Sequence, residues 1–182
     1  MDDVKDLIEA EIPRLRRYAY ALLRNPINAD DLLQETLVRA LAKAHLWQKG
    51  TNLRAWLFTM LHHLHVNAVR KAARIGEVIP IEDAVNLGRE PSQLTVIELS
   101  ELKRALGRLP EEQRAALLLI GLEGMHNGEV AALVKVPVGT VRSRLSRARA
   151  ALREILDAGD RKPGFRRPFS NDARTIRLAA SG

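Results

Sequence analysis

With 182 residues, 46% of them apolar, the chain is long enough for one domain or two small ones. The absence of cysteine excludes a disulfide framework and a thiolate metal site. No uninterrupted apolar run reaches the ~18 residues of a membrane span. The N-terminal Met1-Asp-Asp-Val-Lys is acidic and lacks the apolar segment of a secretory signal, so a cytoplasmic protein with no membrane insertion is expected. The net charge of +7 is spread unevenly: +4 over residues 1–75, −3 over 76–95, +2 over 96–158 and +4 over the last 24 residues. Two basic blocks around an acidic connector suit two modules that both approach a polyanion.

Helical periodicity dominates and strand signals are nearly absent, so the predicted class is all-α. A first helical region covers about Val4 to Arg24, with a break expected at Pro13. Asn25-Pro26 reads as a stop and turn, and Asn28 as the cap of the next helix, with Asp30 and Asp31 favourable in its first turn. That helix has an apolar stripe of Leu32, Leu33, Leu37, Ala40, Leu41 and Ala44. Gly50-Thr-Asn52 makes a turn and a cap. The third helix carries Leu53, Trp56, Leu57, Met60, Leu61, Leu64 and Ala68 at helical spacing. Phe58 lies off that stripe; packing against the third helix itself or the linker would account for it. These three helices can bury one core, giving a compact helical domain over residues 1–75.

Residues 76–91 have no period and contain Gly76, Pro80, Gly88 and Pro91, the signature of a linker. Ser92 is a candidate cap for a helix to about Leu109. Pro110 is expected at the first position of another, with Glu111 and Glu112 in its first turn. A second domain over residues 92–158 is expected to end in two short helices joined by the Lys135-Val136-Pro137 turn, a helix-turn-helix. Asn127 is the candidate cap of the first of these. The second buries Val138, Val141, Leu145, Ala148 and Leu152 on one stripe. Its outward side offers Ser143, Ser146 and Arg147 among small residues, with Arg142, Arg144, Arg149 and Arg153 on the flanks. Such a helix can enter the major groove, where arginine donates two parallel bonds to guanine; flanking arginines suit phosphates. Residues 159–182 form a basic tail, Arg166-Arg167-Pro168 included, with few large apolar residues, and are expected to be disordered or to fold only on contact.

Three motifs in this order resemble the extracytoplasmic-function (ECF) class of bacterial sigma factors, over roughly residues 10–156. They are Ala29-Asp-Asp-Leu-Leu-Gln-Glu-Thr-Leu37, Asn52-Leu-Arg-Ala-Trp-Leu-Phe-Thr-Met60, and Leu109-Pro-Glu-Glu-Gln-Arg114 followed by Pro137-Val-Gly-Thr-Val-Arg-Ser-Arg-Leu-Ser-Arg-Ala-Arg149. The resemblance implies two small helical domains joined by a flexible linker, the second like sigma region 4. It implies that Asp31, Gln34 and Glu35 grip core RNA polymerase, and that Asn67, Arg70 and Lys71 help capture the melted minus-10 strand of promoter DNA. Thr140, Arg142, Ser143, Ser146 and Arg147 would then contact the minus-35 element. An anti-sigma factor is an implied partner and a stress response an implied setting; no cofactor and no catalytic residue are implied. The chain departs from the family pattern at His63, at Asn67 and at Met125-His-Asn127.

Other readings compete. His62, His63 and His65 invite a metal, and His62 and His65 can share a helix face, but no third ligand is spaced to complete a site. No nucleophile–base pairing or glycine-rich phosphate loop suggests an enzyme. A sigma-like mimic that sequesters an anti-sigma factor would keep this fold; the arginine-rich helix argues against it. An ordinary helix-turn-helix regulator leaves the Asp-Asp-Leu-Leu-Gln-Glu helix unexplained.

Overall fold

A computed structural model describes residues 2–75 and 93–159. Among them are the helices α1 (Asp2–Leu23), α2 (Pro26–Ala42), α3 (Leu53–Ile75), α4 (Gln93–Arg108), α5 (Glu111–Gly121), α6 (Asn127–Val134) and α7 (Val138–Gly159), and no strand. The expectations for the 76–91 linker, for a Ser92 cap and for the tail beyond Gly159 fall outside the described residues.

The N-terminal unit is a three-helix bundle in which α1, α2 and α3 pack on one another. Pro13 does not break α1, contrary to expectation. Its ring removes a single backbone bond, and buried Ile8 and Leu15 on either side hold the helix to the core. Arg24 ends the helix in the left-handed region at φ 60°. The cap of α2 is Asn25 rather than Asn28: its side-chain oxygen accepts from the Asn28 N–H at 3.0 Å, and Pro26 takes the first helical position. The buried side of α2 is Ala29, Leu32, Leu33, Thr36 and Ala40. Thr36 satisfies its hydroxyl by donating to the Leu32 carbonyl at 2.7 Å. Leu41, expected in the stripe, is 45% exposed.

A short 3₁₀ turn over Ala44–Leu46 leads to Gly50, at φ 95°, and to Asn52. The Asn52 side-chain oxygen accepts from the Ala55 N–H at 2.9 Å and caps α3 as expected. The buried arc of α3 is wider than the leucine stripe. Leu57, Leu61 and Leu64 are buried on the stripe, while Phe58, His62 and His65 form a second buried edge and Ala68 is exposed. Phe58 is fully buried, its ring 5.4 Å from that of Tyr18 and 5.8 Å below the Arg54 guanidinium.

In the C-terminal unit α5 and α6 pack against α7, and α4 also rests on α7. Pro110 precedes α5, with Glu111 and Glu112 in the first turn where the helix dipole favours acids. The two units do not stand apart: α1 packs on α5 and α3 on α6. One contiguous set of buried side chains runs from Ile8 through Phe58 and Leu119 to Val141. Burying each such large apolar side chain stabilises by about 1.5–3 kcal/mol.

Candidate nucleic-acid interface

The helix-turn-helix is built locally. Lys135 follows α6 at φ 55°, a left-handed residue that terminates the helix, and the Val136 N–H returns to the Ala131 carbonyl at 3.1 Å. Pro137 has no N–H to leave unpaired, while its carbonyl accepts from Thr140 at 2.9 Å and opens α7. His126, not Asn127, occupies the cap position of α6; the Glu129 carboxylate reaches back to the His126 N–H at 2.8 Å. Val130 and Leu133 of α6 and Val141, Leu145 and Ala148 of α7 are buried where the helices meet. Val138, expected in that stripe, is 38% exposed because it lies in the opening turn, ahead of the packed segment.

This packing leaves a long outward arc on α7. Arg142, Ser146 and Arg147 are exposed, Thr140 and Ser143 half-buried. Stepping 100° per residue, Arg142 and Ser146 lie on one edge of the arc, and Thr140, Ser143 and Arg147 toward the other. Arg142 and Ser146 join Arg149, Arg153 and Asn127 around a groove of about 440 Å³. The Ser143 hydroxyl donates to the Thr140 carbonyl at 2.9 Å, which fixes its rotamer. Arg144 is removed from the set of free arginines: it pairs with Glu112 of α5.

Asn67, Arg70 and Lys71 share one exposed face of α3. Asn67 and Arg70 also line a cleft of about 700 Å³ whose far wall includes Glu111, Lys135 and Arg144 of the C-terminal unit. On α2, Asp31, Gln34 and Glu35 are exposed on the side opposite the core, and Glu35 pairs with Arg39 at 2.5 Å. Asp30 is committed elsewhere, accepting from the Tyr20 hydroxyl at 2.9 Å; that bond holds the Tyr20 hydroxyl pKa above its usual value.

Between the units lies a polar seam. Glu123, in the α5–α6 connector, is only 4% exposed. Its Oε1 accepts from Arg17 Nε at 3.1 Å and Nη2 at 2.9 Å. Arg54 donates to the Glu123 carbonyl and brings Nη2 within 3.5 Å of Oε2. Asn52 Nδ2 donates to Glu129 at 2.9 Å, so one residue caps α3 and also holds the carboxylate that caps α6. His65 Nε2 lies 2.9 Å from Glu111 Oε1. Hydrogen bonding to the His65 side chain holds the Glu111 carboxyl below the usual range despite partial burial. Burial, reinforced by the neighbouring His65 and His63, lowers the His62 pKa to about 4. Burial pushes the Tyr18 hydroxyl well above its usual value, and Glu111 and Glu123 push it further.

Sequence reasoning kept every proposed contact residue on an outward or half-buried helical position but missed this seam. Two residues signal it in the sequence: Phe58, an aromatic off the leucine stripe, and Glu123, a carboxylate between Leu122 and Gly124-Met125.

A helix-turn-helix with a free arginine edge, set on an all-helical body with a second basic face, defines a DNA-binding protein built of two helical units. Residues 8–62 match the family described as Sigma2 domain of PhyR, and residues 99–152 match Sigma-70, region 4. The chain is 43% identical to ECF RNA polymerase sigma factor EcfG of Rhodopseudomonas palustris, across 85% of this chain and 86% of that one. It is 35% identical to ECF RNA polymerase sigma factor SigE of Mycolicibacterium smegmatis, across 83% and 60% respectively. Among solved structures it resembles the sigma factor RpoE in complex with the anti-sigma factor NepR from Bartonella quintana, with a TM-score of 0.77 and 35% identity over 86% of this chain and 98% of that one. The chain belongs to the ECF family of RNA polymerase sigma factors. It works with core RNA polymerase on promoter DNA to initiate transcription, and is not itself an enzyme.

Proposed function

We propose that residues 1–75 form the module that holds core polymerase and captures the minus-10 strand, and that residues 92–158 form the module that reads the minus-35 element. Residues 76–91 join them, and 159–182 add basic charge. The observation that carries this assignment is the outward arc of α7, where Arg142 and Arg147 make no ion pair with any described residue while Arg144 is paired with Glu112. Unpaired guanidinium groups beside small side chains are what bidentate base contacts require. Thr140, Arg142, Ser143, Ser146 and Arg147 make the minus-35 contacts; Asn67, Arg70 and Lys71 take the single strand, where positive charge and an amide suit backbone and bases.

Asp31, Gln34 and Glu35 grip the polymerase. Replacing Asp31 with Lys, exposed and far from the core, leaves folding unchanged and weakens association with core enzyme in a pull-down. Normal holoenzyme assembly by that variant would overturn the α2 assignment. The protein acts in the cytoplasm, in a stress response, under an anti-sigma factor, as the complex seen for the Bartonella relative suggests.

A further inference from the structure

The minus-10 and minus-35 elements are about 25 base pairs apart by their names, on the order of 80 Å of duplex. DNA is stiff at that length, with a persistence length of about 150 base pairs. In this structure Asn67 and Arg70 share one cleft with Lys135 and Arg144, the latter two in the turn and opening of the helix-turn-helix unit. Arg142 and Arg147 stand on the same 22-residue helix as Arg144, about 33 Å long at 1.5 Å per residue, so the two DNA-facing sets lie far closer together than that span and cannot serve both elements in this arrangement. The contacts that hold them together therefore oppose promoter engagement.

Glu123 is the centre of those contacts. Its carboxylate is buried, yet the cations that compensate it, Arg17 of α1 and Arg54 of α3, both come from the other unit. A buried carboxylate without partners is costly. Within the C-terminal unit alone, Glu123 would need water in place of the two arginines. The Arg54 bond to the Glu123 carbonyl and the Asn52–Glu129 bond flank it along the same seam. A hydrophobic junction alone would set no such polar register.

We propose that Glu123, clasped by Arg17 and Arg54, is a latch that keeps the free chain closed, and that its release frees α3 and the helix-turn-helix to separate. The purpose of this latch rests on the promoter reading above; its existence does not. The chain has no cysteine, so two labels can be placed without background. Exposed Glu9 on α1 and Glu154 on α7 are replaced by Cys in the full chain, and the inter-label distance distribution is measured in the absence of polymerase.

The otherwise unchanged chain should give one short-distance population. Glu123→Gln, of the same shape but neutral, should raise the open fraction by about tenfold or more, the factor set by losing one charge-assisted hydrogen bond. The double variant Arg17→Gln/Arg54→Gln should do the same, and it decides the matter if Glu123→Gln loses its helical circular dichroism. A long distance in the unchanged chain, or an open fraction that does not rise in the folded variants, would overturn the latch. Neither result depends on whether the chain selects a promoter, which a transcription assay reads separately.

Discussion

Helices α3 and α7 both carry basic residues proposed to meet DNA, but their surroundings differ. The outward arc of α7 is open: Arg142, Ser146 and Arg147 are exposed, and the groove beside them is lined by more arginine. The corresponding face of α3 looks across a cleft at the other unit, and the helix buries a second edge, Phe58, His62 and His65, that the leucine stripe does not require. The contrast separates readiness from access. On the proposed roles, duplex can reach α7 in the closed chain, whereas a captured strand would reach α3 fully only after the units part.

The largest effect is expected on the hidden edge. Phe58→Ala removes a fully buried ring that packs at a tilt against Tyr18, and should cost about 3–5 kcal/mol in urea denaturation. A loss below about 1 kcal/mol would show that the edge is not part of the core and would dissolve the contrast.

The next effect is pH-dependent. The folded-state pKa of His62 is about 4, below its ordinary 6.5. An unfolded chain therefore takes up that proton first as pH falls. Stability is fully present above pH 6.5, declines through the window down to about 4, and is reduced by up to about 3 kcal/mol at its lower end. His63 and His65 on α3, Glu111 on α5 and Arg144 on α7 face this ring. The lowered pKa of Glu111 adds a loss of the same sign at still lower pH. His62→Gln should flatten the decline between pH 6.5 and 4; an unchanged slope would place the titration elsewhere.

The smallest effect sharpens the open side. Arg147→Ala should weaken binding to a cognate promoter by about 1–3 kcal/mol while leaving scrambled DNA nearly unaffected. An equal loss on both would make Arg147 a phosphate contact.

The helix-turn-helix was readable in the sequence because its signals are local: Pro137 ahead of α7, the Val141-Leu145-Ala148 stripe and the arginines between. The acidic side of α2 was readable for the same reason. What escaped was set by distant neighbours. Phe58, His62 and His65 look like side-chain choices within one helix until Tyr18 of α1 meets Phe58, Glu111 of α5 meets His65, and Glu111 and Val134 line the cleft at His62. Arg144 looks like a free phosphate ligand until Glu112, 32 positions earlier in the chain, pairs with it. Pro13 looks like a helix break until the buried residues on both sides hold α1 straight through it. Asn25 and Asn28 compete as caps on composition alone, and Pro26 decides between them by occupying the first helical position.

The most direct test is run-off transcription from a randomised promoter library, with the purified chain added to core RNA polymerase. Transcripts should start at defined positions downstream of two enriched elements. Arg147→Ala should relax the upstream element, and Asp31→Lys should lower the transcript yield. Core enzyme that starts at the same positions with or without the chain would contradict the account.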